Sequence, residues 1–86
     1  MVGESTPLVF TPYCLRRLHQ RGISPEEVRS VVECRSKTVR PSMHAWGRKV
    51  HTASVAGRRI SVVIGPGPSS VSTVVTAWCP DEGGEE

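Results

Sequence analysis

The chain is poor in four things, and each shortage narrows what it can be. Aromatic residues make up 5% of its 86 positions, one Phe, one Tyr and two Trp, so a core has to be assembled from Val, Ile and Leu. A chain this short buries a comparatively small share of its surface, which leaves room for one domain and not for two. Aspartate is absent before position 81, and the acids of residues 1–80 are Glu4, Glu26, Glu27 and Glu33 alone. That argues against a pair of catalytic carboxylates and against a magnesium site. Cysteine occurs three times, at Cys14, Cys34 and Cys79, an odd number without a Cys-x-x-Cys pair, so neither a disulfide framework nor a zinc site is expected. No apolar run approaches the ~18 residues of a membrane span. A basic-then-apolar leader pattern is also missing, which makes the cytoplasm the expected location. No cofactor is expected.

Positive charge is what the chain has in excess. All eleven Lys and Arg fall in residues 1–80, a net of +7 there, and Asp81, Glu82, Glu85 and Glu86 then bring the total to +3. A basic body with an acidic tail points to a polyanionic partner, RNA or DNA first.

Two helix starts stand back to back. Thr11 precedes Pro12, and Ser24 precedes Pro25; each is an N-cap residue followed by proline at the first helical position. Glu27, three residues after Ser24, completes a capping box, and Ile23 is spaced to staple onto Val28, as Phe10 is onto Leu15. Gly22 offers the left-handed conformation that ends a helix. The pattern predicts helices over Pro12–Arg21 and Pro25–Cys34. The first turns Cys14, Leu15 and Leu18 inward and Arg16 and Gln20 outward, with Tyr13, Arg17 and Arg21 as a stripe along its edge. The second buries Val28, Val31 and Val32 and exposes Glu26, Arg29 and Ser30.

Leu8–Phe10 reads as a short strand, and residues 35–44 as a ragged edge strand or a loop, since Pro41 argues against a central strand. From Gly47 the period changes to two, and Ala56-Gly57 turns a hairpin into a central strand, Ile60–Ile64. Residues 65–70 form a long turn before the last strand, Val71–Trp78. Residues 1–7 and the acidic segment 80–86 are expected without regular structure. The expected fold is α+β, with two N-terminal helices packed on one face of a small antiparallel sheet and the other face left partly open.

Phe10 to Val28, with Gly47-Arg48 and Val74 to Trp78, resembles the DUF4258 family of small bacterial domains, distant relatives of the RelE/ParE toxin fold. The resemblance covers roughly residues 8 to 79. It implies a single RelE/ParE-like domain there, a toxin-antitoxin type activity on RNA, free or ribosome-bound, and an antitoxin or other protein as partner. It also matches Arg17 and Arg21 to two family arginines. Tyr13 stands where the family usually has His, and His51 where an aromatic often follows the Gly-Arg pair.

Metal-independent RNA cleavage by the 2′-hydroxyl needs a base, an acid and positive charge at the phosphate. Arg17, Arg21 and Arg48 are the candidates for the charge, and His51 and Tyr13 for proton transfer. Lys49, Arg58, Arg59 and Trp78 are candidate nucleic-acid contacts, the indole by stacking. His19 reads as a surface residue, His44 as a bland position in the basic segment, and Trp46 as core. The alternative is a non-catalytic module of the same fold that binds nucleic acid or protein, and a third reading is a toxin with another target, such as gyrase.

Overall fold

The computed structural model of the protein describes residues 7–43, 47–65 and 72–82. Seven main elements follow in order: β1 (Leu8–Phe10), α1 (Pro12–Arg21), α2 (Pro25–Glu33), β2 (Thr38–Pro41), β3 (Lys49–Val55), β4 (Arg58–Gly65) and β5 (Ser72–Trp78), with one 3-10 turn at Pro80–Glu82. The joint between the helices forms as its residues dictate. Gly22 is left-handed (φ 67°), and the Gly22 and Ile23 amides donate to the His19 and Leu18 carbonyls, a Schellman closure. Ser24 and Glu27 then make the reciprocal capping box, at 3.1 and 2.8 Å. At the start of α1 the Thr11 hydroxyl accepts from the Cys14 amide.

The five strands make one sheet in the order β1-β5-β4-β3-β2. Four are antiparallel to their neighbours, but β1 lies parallel to β5, Leu8 opposite Ser72. The pairing corrects the expectation of a wholly antiparallel sheet. A strand of three residues carries no signal of direction, and its partner β5 is separated from it in the chain by two helices and three strands. β2 is the edge strand left open above, and all four of its residues are exposed.

Alternation along the strands sorts side chains to two faces. On the first, Ala53, Ile60, Val62, Val74 and Ala77 pack with Cys14, Leu18, Ile23, Val28 and Val31 of the helical layer. Burying valines of this kind stabilises by roughly 1.5–3 kcal/mol each, which offsets the modest helix propensity of α2. Leu15 departs from expectation: it is 46% exposed, because the contact with β5 lies along Cys14 and Leu18. Cys34 ends α2 with an extended backbone instead of sitting within it.

Among the described residues, no α-helix lies on the second face. Val50, Val63 and Trp78 form a small cluster there, with Val75 against it. β5 joins this cluster through a bulge: Val63 faces Thr76 while Ile64 faces Val74, leaving Val75 as the extra residue. The acidic segment expected to lack structure begins instead with the turn Pro80–Glu82, closed by the Glu82 amide on the Cys79 carbonyl at 3.0 Å. The long turn over 66–70, along with His44, Trp46, residues 1–6 and residues 83–86, lies outside the described residues.

Candidate nucleic-acid interface

The uncovered face is built by register. Thr38 faces Thr52, Thr52 faces Ser61 and Ser61 faces Trp78, so one row of hydroxyls runs across β2, β3 and β4 to the indole. Thr52 Oγ1 and Ser61 Oγ lie 2.8 Å apart in a hydrogen bond. Arg40 stands on this face opposite Val50, and Arg59 opposite Ser54. Together Thr38, Arg40, Thr52, Arg59, Ser61, Trp78 and Pro80 line a depression of about 260 Å³. Arg48 extends the same face at the other end of the sheet. Its Cγ comes within 4.0 Å of where a Cβ on Gly65 would stand, and the same Cβ would be 3.2 Å from Val75 of the small cluster.

Three guanidinium groups, Arg40, Arg48 and Arg59, thus share a surface with hydroxyls that donate or accept hydrogen bonds. Such a surface suits a phosphodiester chain. The floor adds one unusual group: Trp78 is 1% exposed, and its indole Nε1 is buried with no hydrogen-bond partner among the described residues. A buried donor left unmade costs free energy. Its burial also corrects the expectation that this indole stacks on a base, since neither of its faces is open. Aromatic scarcity has drawn it into the core.

The remaining sequence candidates are distributed elsewhere. Tyr13 and Arg17 are together on the outer side of α1: Arg17 Nε donates to the Tyr13 hydroxyl at 3.0 Å, and its guanidinium carbon sits 5.2 Å from the ring centre. Arg21 reaches the edge of β5 beyond the end of β1, donating to the Ala77 carbonyl at 2.8 Å and to Thr76 Oγ1 at 3.4 Å. It lines, with Gln20, Cys79 and Glu82, a second depression of about 350 Å³. Arg58 points to the helical side, donating to the Gly22 carbonyl at 3.0 Å and standing 3.8 Å from Glu27. It holds the hairpin to the helix joint. Lys49 is exposed, opposite Ile64.

His51 also belongs to the helical face, opposite Val62. Its Nδ1 is buried and has no partner among the described residues. Burial, and then the charges of Lys37 and Lys49, lower its pKa below the ordinary imidazole value. At neutral pH it is therefore uncharged. The Cys34 thiol, partly exposed near Lys37, is lowered as well, chiefly by its hydrogen bond with Ser36. The five residues singled out for catalysis do not converge, since Arg48 is on the open face and Tyr13, Arg17 and His51 are on the helical side.

Five residues of the depression were not anticipated as a site: Thr38, Arg40, Thr52, Ser61 and Pro80. Counting from the two-residue turn Ala56-Gly57 pairs Val55 with Arg58 and hence Thr52 with Ser61, a signal present in the sequence. It separates Arg59 from Arg58 and assigns Thr52, not His51, to the face that carries Arg59.

The chain has a two-layer α+β fold, two helices on one face of a five-stranded mixed sheet whose second face is basic. It is similar to the 1.1 Å crystal structure of the ribonuclease toxin BrnT of Brucella abortus, with a TM-score of 0.65 and 15% identity, over 86% of this chain and 95% of that one. No protein-family model matches the chain, so the resemblance to DUF4258 lacks that support. No curated protein matches it either. Among the described residues, no helix is long and apolar enough to cross a membrane, and no group of three or more His, Cys, Asp or Glu is placed to hold a metal ion.

Proposed function

We propose that the protein is a toxin-type ribonuclease that binds RNA across its uncovered sheet face and is held inactive by an antitoxin protein. The observation that carries this reading is the fold shared with a ribonuclease toxin, joined to an open face bearing Arg40, Arg48 and Arg59 around a hydroxyl-lined depression. In this reading the arginines bind the phosphates and offset the negative charge that grows on the phosphoryl oxygens as the 2′-hydroxyl attacks phosphorus. His51 lies on the opposite face of the sheet from these arginines and does not serve a phosphate held there, and Tyr13 with Arg17 and Arg21 is a second basic surface along α1. An antitoxin segment that neutralised the protein would cover the arginine face.

One observation favours a second reading, a binding module without catalysis: among the described residues of the open face there is no group that titrates near neutrality. The two readings separate on induction in a bacterial host of the wild-type chain, an Arg48→Ala, Arg59→Ala variant and an Arg17→Ala, His51→Ala variant. The ribonuclease reading expects growth arrest with RNA decay, abolished by the first variant. Retained decay in the second would remove His51 and Arg17 from the chemistry. Normal growth with intact RNA, from wild-type chain shown to be folded, would leave the binding module.

A further inference from the structure

The 3-10 turn at Pro80–Glu82 brings an anion of the chain itself to the basic face. Pro80 is part of the wall of the 260 Å³ depression. Asp81 Oδ1 stands 3.4 Å from Arg59 Nη2. The next residue, Glu82, lines the other depression beside Arg21. One short turn therefore sets a carboxylate at each of two arginine-bearing hollows, in a chain whose first eighty residues contain no aspartate at all. Among the described residues, the turn is closed by the Glu82 amide on the Cys79 carbonyl and packs against β4.

We propose that this terminal turn is a built-in competitor for phosphate: Asp81 occupies the Arg59 position of the open face, and a nucleic-acid backbone must displace it to bind. The proposal rests on the reading of that face as an RNA surface and adds how access to it is regulated. The side chains of Arg59 and Asp81 are 52% and 69% exposed. A pair so open to solvent is a weak lock, screened by salt and readily exchanged for a ligand of higher charge density. The turn thus tunes affinity without closing the site.

The test uses the full chain as wild type, Asp81→Asn, Arg59→Ala, the double variant, and Glu26→Gln as a control that removes one acid far from the face. Binding of a fluorescein-labelled single-stranded RNA is followed by anisotropy, and binding of inorganic tripolyphosphate by calorimetry. Asp81→Asn is expected to bind both about threefold more tightly at low salt, with the gain lost above about 0.5 M salt and absent in the Arg59→Ala background. An equal gain from Glu26→Gln, or a gain that survives Arg59→Ala, would overturn the proposal, because net charge alone would then explain it. If tripolyphosphate shows the Arg59-dependent gain while RNA is not bound at all, the competitor stands and the RNA reading falls. If neither is bound, both fall.

Discussion

At the scale of single residues, Ala56 is a place where chemistry and conformation disagree. It occupies the first position of the two-residue hairpin turn with φ 53°, followed by Gly57 at φ 80°, and a side chain in the left-handed region costs roughly 1 kcal/mol. Ala56→Gly is expected to raise stability by about 0.5–1 kcal/mol, and Ala56→Asn by a similar amount, seen as a rise of several degrees in Tm. His51 supplies a pH signature. Its folded-state pKa is lowered, so between that value and the ordinary 6.5 the unfolded chain binds a proton that the folded chain does not. Stability is then full above pH 7 and declines as the pH falls through this window. His51→Gln should flatten that part of a stability profile measured by urea unfolding; an unchanged slope would mean that other groups set it. Both residues are identifiable in the sequence, but only the register reveals that His51 turns toward the helices and its lysine neighbours.

Among the elements, the helix joint was the most legible, because its signals are local. Gly22, Ile23, Ser24, Pro25 and Glu27 each act within a few positions of the chain; the left-handed Gly22, both N-caps and the capping box form as expected, and Ile23 and Val28 are buried in one cluster. Ser24→Ala should cost about 1 kcal/mol by removing the cap. Gly22→Ala should cost a similar amount through its positive φ alone, since a Cβ there meets nothing within 4 Å. Equilibrium denaturation checks both, and a loss well above 2 kcal/mol for Gly22→Ala would point to a contact not described. The hairpin was legible too, for the turn sets the register. What stayed hidden were pairings decided at a distance: the parallel alignment of β1 with β5, the bulge at Val75, and the exposure of Leu15. None of these leaves a mark in the neighbouring sequence.

Across the whole molecule, the sheet divides the arginines between a face packed by the helices and a face that is not. Composition made the basic body evident, but it did not tell which arginines share a surface. Arg58 and Arg59 are adjacent in sequence and lie on opposite faces, one bound to the Gly22 carbonyl and the other beside Asp81. Arg40 and Arg48, by contrast, come to one face from separate segments. If that face binds RNA, alanine at each of Arg40, Arg48 and Arg59 should weaken binding whatever the sequence and reduce the slope of log K against log salt by about 0.7 per residue. Arg58→Ala should instead lower stability and leave the slope nearly unchanged. The pairing of β1 with β5 has one more consequence, which concerns synthesis. Leu8 has to wait for Ser72, and the core lacks Val74, Ala77 and Trp78 until the last strand has been made. A growing chain on the ribosome therefore carries its arginines but no finished surface to present them. If the face bearing Arg40, Arg48 and Arg59 is the RNA surface, it comes into being only once β5 has emerged and paired.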